Sequence, residues 1–109
     1  MPLFVFIGHD GPESSALRPV HRPAHLAGLE PLDREGRVRF AGPMIGDEGA
    51  PVGSVIVFEA ADLDAARAIA ANDAYVVEGI FERYDVRETK QVFPKDSDRA
   101  AQGEDSIGR

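Results

Sequence analysis

Two short segments of this 109-residue chain, residues 3–7 (LFVFI) and 55–58 (VIVF), are apolar at every position. They are rich in Val, Ile and Phe and have the length of strands, so they predict strands that are buried on both faces of a sheet. Gly8 is expected to end the first of them. A sheet with two apolar faces needs a cover on each face, and this requirement constrains the fold more than any other feature of the chain.

The other segments predict the element order β-α-β-β-α-β. Val38 and Phe40 alternate with arginines and indicate a second strand, and Asp62 is placed to cap a helix over residues 63–73 with one apolar face. Residues 81–92 alternate again and predict the last strand. This order is the ferredoxin-like split βαβ unit, an α+β fold whose right-handed crossovers place both helices on one face of the sheet. Because the other apolar face remains open, we expect a homodimer or higher homo-oligomer, with two sheets packed into a dimeric α/β barrel.

The first predicted helix contains three prolines, Pro19, Pro23 and Pro31. Ser14 or Ser15 can cap its start. A proline inside a helix removes one hydrogen bond and crowds the carbonyl group four residues earlier. We therefore expect a short first piece, a kink or restart at Pro23, and a more regular helix that continues to about residue 35.

Composition narrows the classes of partner. The net charge of −7 disfavours nucleic acids and anionic membranes as partners, and no apolar run is long enough to span a bilayer. The chain has no cysteine, and its start lacks the basic region of a signal peptide, so we expect a cytoplasmic protein. Residues 1–93 are expected to form a single domain, and the polar residues 94–109 are expected to form a disordered tail.

His21 and His25 lie four residues apart in the first helix, a spacing that allows three interpretations. On a regular helix His25 shares a face with Leu29 and is predicted to point inward, where a backbone carbonyl could bind it. A metal site would need an unbroken helix and a third ligand, for which His9 is the candidate, and we expect no metal. An acid–base site would need a carboxylate beside His25, and spacing alone does not supply that partner.

Five short segments of the chain carry a resemblance to a known family. They are Arg22-Pro23-Ala24-His25-Leu26, Ala41-Gly42-Pro43, Gly53, Asp73-Ala74-Tyr75 and Gly79-Ile80-Phe81. Across about residues 3–93 the chain resembles the YCII-related (YciI-like) family, although the usual Asp-Pro-Tyr of that family is Asp-Ala-Tyr here. The resemblance implies dimeric α/β barrels of ferredoxin-like subunits. It also implies a pocket with a His and an Asp, proposed as an acid–base pair, which carry over onto His25 and Asp73.

The function implied by the resemblance is a lyase or isomerase that acts on a small cyclic or phenolic substrate. A few relatives take part in degrading aromatic compounds, including dehydrochlorination of chlorinated quinols. The candidate ligand-binding residues are Tyr75, Gly42 and Arg22. Each also has a structural alternative: Tyr75 could be a packing residue, Gly42 could allow a strand bend, and Arg22 could be a solvated surface residue. No cofactor is expected, because the chain has no glycine-rich phosphate loop. The alternatives are a non-catalytic domain that binds a small ligand and a purely structural oligomerisation module.

Overall fold

The computed structural model describes residues 1–95, and residues 96–109 lie outside the described part of the chain. The expected tail therefore falls almost wholly outside it and stays a prediction. The elements in chain order are β1 (Leu3–Asp10), α1 (Ser14–Arg34), β2 (Val38–Ile45), β3 (Pro51–Glu59), α2 (Leu63–Ala71), α3 (Ala74–Val77) and β4 (Phe81–Thr89). The four strands form one antiparallel sheet in the order β2-β3-β1-β4. This is the ferredoxin-like arrangement that the element order predicts. In the described residues, no helix has the length and apolar character that crossing a membrane requires.

The core lies on the face of the sheet that the helices cover. Phe4 and Phe6 of β1 are buried against Ile56 and Phe58 of β3, because alternate residues of a strand point to the same face. Helix α2 packs its small buried residues onto this cluster, and Asp62 caps that helix by accepting a hydrogen bond from the Ala65 N–H at 2.8 Å. Small residues let the helix approach the aromatic rings closely.

The opposite face of the sheet is apolar at its centre. Val5 pairs with Val57, and Ile7 pairs with Val55, and all four side chains are only partly buried in the single chain. The edge strand β2 adds Phe40, which pairs with Val57 and is 55% exposed. Because β1 and β3 are apolar on both faces, they leave an apolar surface that none of the helices within residues 1–95 covers.

The sequence pattern predicts that strand β1 ends at Gly8, and this prediction is wrong. The strand continues to Asp10, and Gly8 pairs with Ser54 of β3 and Tyr84 of β4. The ring of Phe81 lies over Gly8, and a Cβ atom there would come within 2.9 Å of that ring. Gly8 is thus an interior strand residue that makes room for an aromatic side chain.

Helix α1 is one element from Ser14 to Arg34, so the expected short first piece and restart at Pro23 are wrong, and a kink at Pro23 stays a prediction. All three prolines are exposed, and they lie four and eight residues apart along the helix. The carbonyl groups that lose their partners can therefore bind water, and the helix continues past each proline. The expected serine cap is also wrong, because the N-cap position is occupied by Glu13 without a side-chain bond.

Candidate active site

A cavity of about 390 Å³ lies between α1, the β2–β3 half of the sheet and α3. Its wall contains apolar side chains together with a few polar groups. The lining residues are Arg18, Pro19, Arg22, His25, Leu26, Leu29, Ala41, Gly42, Pro43, Pro51, Ser54, Ile56 and Tyr75. A largely apolar cavity of this size with a small number of convergent polar groups is typical of small-molecule sites.

His25 and Asp73 are in direct contact at this cavity. The His25 Nδ1 atom lies 2.8 Å from the Asp73 Oδ1 atom, and the two side chains are only 11% and 10% exposed. Asp73 also occupies the N-cap position of α3, where its Oδ2 atom accepts a hydrogen bond from the Tyr75 N–H at 2.9 Å. Both carboxylate oxygens are therefore held by partners, and the short helix fixes the direction of the carboxylate.

This contact determines which ring nitrogen of His25 can accept a proton. An ionised carboxylate can only accept hydrogen bonds, so Nδ1 must carry a proton. In the neutral imidazole, Nε2 then has the free electron pair and can accept a proton. The carboxylate would stabilise the imidazolium that forms.

Tyr75 supports the His25 ring. The two rings are parallel within 4°, with their centroids 4.0 Å apart, and Tyr75 is only 3% exposed. The phenol hydroxyl group donates a long hydrogen bond of 3.5 Å to the backbone carbonyl of Arg18. The structure therefore places Tyr75 as a stacked platform in the cavity wall, and its proposed bond to a ligand stays a prediction.

Arg22 and Gly42, the other two candidate binding residues, also line the cavity. His21 does not line it, since its Nε2 atom faces a carboxylate oxygen of Glu78 at 3.9 Å. The two histidines thus have different acidic partners. Among residues 1–95 no group of three or more His, Cys, Asp or Glu side chains is arranged to hold a metal ion.

Arg18 is a cavity residue that the sequence patterns did not single out. Its Nε and Nη2 atoms each donate to a different oxygen of Asp10 at 2.9 Å, and Nη2 also reaches the carbonyl oxygen of Gly53. The hydrogen bond with Asp10 is the main cause that raises the pKa of Arg18, so the guanidinium stays charged. The sequence does contain a signal that places Arg18 beside His25. Residues 18, 22, 25 and 29 follow the helical i, i+4, i+7, i+11 pattern and share one face of α1.

Comparisons with known proteins place this arrangement in context. The model of the YCII-related domain family matches residues 2–90. The chain is 41% identical over 97 residues to the protein YciI of Escherichia coli O6:H1, a match that covers 84% of this chain and 99% of that one. The structure resembles 5-chloro-2-hydroxyhydroquinone dehydrochlorinase (TftG) from Burkholderia phenoliruptrix, solved in complex with 2,5-dihydroxybenzoquinone, with a TM-score of 0.75 and 30% identity over 86% of this chain and 99% of the other. An antibiotic biosynthesis monooxygenase shares the fold alone, with a TM-score of 0.51 and 16% identity over 84% of this chain and 99% of that one.

Proposed function

Because the chain belongs to the YCII-related domain family, we propose that it is a small-molecule enzyme in which His25 and Asp73 form an acid–base pair. The observation that carries this proposal is the contact of 2.8 Å between His25 Nδ1 and Asp73 Oδ1 in the wall of a cavity. The similarity to a dehydrochlorinase of a chlorinated hydroquinone supports a small cyclic or phenolic substrate.

The proposed reaction is a proton transfer. Nε2 of His25 removes a proton from an acidic C–H or O–H group of the substrate, and the electron pair left behind moves into the ring. If a leaving group such as chloride departs with that pair, the result is an elimination, a lyase reaction. If the proton returns to another carbon, the result is an isomerisation. Neither outcome needs a redox step or a cofactor.

The proposed role of Asp73 is to orient and charge His25. Its carboxylate holds the proton on Nδ1, so that Nε2 is the basic atom, and it stabilises the imidazolium formed in the reaction. Tyr75 would act as a positioning residue, because the stacked ring restricts rotation of the imidazole. Positioned acid–base groups of this kind typically contribute about 10²-fold to 10⁴-fold in rate.

The proposed assembly is a homodimer formed through the open face of the sheet. Val5, Ile7, Val55 and Val57 give that face an apolar centre, which a second copy would remove from water. We propose that the protein is cytoplasmic, because a chain without cysteine forms no disulfide bond and needs no oxidising compartment.

The test is exchange of ring protons with solvent. 2,5-Dihydroxybenzoquinone carries two ring C–H groups next to enolic carbons, and their exchange with D₂O can be followed by proton NMR. We expect the protein to accelerate exchange, and His25→Gln to lower that acceleration by about 10²-fold or more. His21→Gln is the matched control and should keep it. Binding of the quinone without any acceleration of exchange would instead support the non-catalytic ligand-binding domain.

A further inference from the structure

We infer that a second cavity, between α1 and α2, binds a small, uncharged, apolar molecule that is separate from the ligand of the His25 cavity. This interhelix cavity has a volume of about 340 Å³, with Phe6 and Phe58 in its floor and Leu32 and Ile69 in its walls. Its size is that of a small-molecule site. The inference goes beyond the proposed acid–base function and does not depend on it.

The interhelix cavity exists because the two long helices pack on different parts of the molecule. Helix α1 makes its main contacts with α3 and β2, whereas α2 packs on β1 and β4. The apolar side chains between the helices, Leu29, Leu32 and Ile69, therefore stay only partly buried. A bound apolar molecule would remove this surface from water, which is favourable.

Gly28 keeps the interhelix cavity open. It lies within α1 and lines the cavity, although glycine is among the least favourable residues inside a helix. Its φ is not positive, and apart from its chain neighbours and the backbone of its own helix, a Cβ atom there would meet nothing within 4 Å among residues 1–95. Neither backbone conformation nor close packing therefore requires a glycine. A longer side chain would extend into the cavity, and the space for a ligand is the feature that the glycine preserves.

The lining of the interhelix cavity indicates the charge of its ligand. Among the described lining residues there is no Lys, Arg or His, and Asp73 is the one charged group. The carboxylate of Asp73 already accepts hydrogen bonds from His25 and from the Tyr75 N–H. An anion would find no cation to pair with, and a cation would meet only oxygens that already have partners. Because a buried charge without a partner is costly, the cavity suits an uncharged molecule.

The interhelix cavity and the His25 cavity are neighbours. Leu29 and Ile56 line both of them and so lie between them. His25 lines one cavity and Asp73 lines the other, so the hydrogen bond of the pair joins the two walls. A molecule in the interhelix cavity would contact Asp73 and leave the Nε2 atom of His25 to the other ligand.

Two other occupants fit the interhelix cavity less well. The surface proposed for a second copy is the open face of the sheet, whereas this cavity lies on the helix-covered face with the core. Residues 96–109 of the same chain contain one large apolar side chain, that of Ile107, among mostly polar ones. An apolar lining gains little from contact with such a polar segment.

The experiment uses the intact protein and 1-aminoanthracene, a fluorescent aromatic amine that is uncharged at neutral pH. Fluorescence gives the dissociation constant, and carbon-13 methyl NMR locates the bound molecule. Leu32 and Ile69 line the interhelix cavity but not the His25 cavity, whereas Leu26 lines the His25 cavity but not the interhelix cavity. We expect the probe to shift the methyl signals of Leu32 and Ile69 and to leave those of Leu26 unchanged. An anion of similar size, 1-anthracenecarboxylate, should not shift the Leu32 and Ile69 signals at the same concentration.

A matched pair of variants tests the role of Gly28. Gly28→Leu places a side chain in the cavity and should weaken binding at least about 10-fold, because each displaced CH₂ contact is worth about fourfold in Kd. Its Tm should stay the same or rise, since leucine favours a helix more than glycine does. Ala27→Leu is the control: position 27 lines the groove between α1 and β2 instead, and this variant should bind the probe as the wild-type protein does.

Four results would overturn the inference. The first is a wild-type protein whose Leu32 and Ile69 signals do not move up to the solubility limit of the probe, a result that needs no variant to fold. The second is a shift confined to Leu26, because the probe would then occupy the His25 cavity. The third is undiminished binding by folded Gly28→Leu. The fourth is tighter binding after the chain is ended at Phe93, because the residues beyond it would then be the occupant.

Discussion

Replacing Asp73 by Asn should reverse the proton positions on His25. The carboxylate of Asp73 accepts from two donors, the His25 Nδ1–H and the Tyr75 backbone N–H. A carboxamide has one oxygen, which accepts hydrogen bonds, and one NH₂ group, which only donates them. The Tyr75 N–H is fixed in α3 and can only donate, so the amide oxygen must face it. The NH₂ group of the new Asn is then left to face Nδ1, which must become an acceptor, and the proton moves to Nε2.

The size of the effect follows from the same contacts. Asn is as good an N-cap residue as Asp, so α3 should remain folded. The bond to His25 changes from a charge-assisted to a neutral one, a loss of about 1 kcal/mol, or a fall of roughly 4–8 °C in Tm for a domain of this size. The loss of activity should be far larger, about 10²-fold to 10⁴-fold in the proton-exchange assay, because Nε2 no longer has a free electron pair.

The assay is nitrogen-15 NMR of the His25 ring at a pH where the imidazole is neutral. We expect the Nδ1–H tautomer in the wild-type protein and the Nε2–H tautomer in Asp73→Asn. Asp62→Asn is the matched control, because Asp62 caps α2 without contacting a histidine. If His25 keeps its proton on Nδ1 in Asp73→Asn, or if exchange is undiminished, the proposed role of Asp73 is refuted.

Three further predictions concern the fold and the assembly. The wild-type protein should be at least a dimer by light scattering at micromolar concentration, and a monomer would contradict the barrel. Val5→Glu should shift the protein toward monomers, whereas the control Ala68→Glu, on the exposed side of α2, should leave the dimer intact. Gly8→Ala should lower stability by about 1–3 kcal/mol, measured by urea unfolding, because a Cβ atom would lie 2.9 Å from the Phe81 ring; an unchanged midpoint would mean that this ring moves freely. Ending the chain at Phe93 should change Tm by less than about 5 °C, and a larger fall would show that the polar residues beyond it contact the folded domain.

Much of the fold follows from local patterns. The alternation in the strands and the apolar face of α2 predict the observed order of the four strands and of α1 and α2, although not the short helix α3. Asp62 caps α2 as expected, because a cap bond joins residues close in sequence. Local rules failed where the surroundings changed the outcome. They ended β1 at Gly8, whose missing side chain is required by Phe81, and they broke α1 at Pro23, whose exposed position makes the proline tolerable.

The candidate site also has features that the sequence predicts and features that only the fold reveals. Helical periodicity alone turns His25 toward the interior, whereas only the resemblance to the YCII-related family pointed to Asp73 as a site residue. Their contact joins residues 48 positions apart, and only the packing of α1 beside α3 brings the two side chains within 2.8 Å. The bond between Arg18 and Asp10 likewise depends on where β1 ends relative to α1. The four strands, α2 and the inward direction of His25 follow from the sequence, because each depends on periodicity within a single element. The pairing of His25 with Asp73 and of Arg18 with Asp10 becomes visible only in the folded chain, because it depends on how separate elements pack.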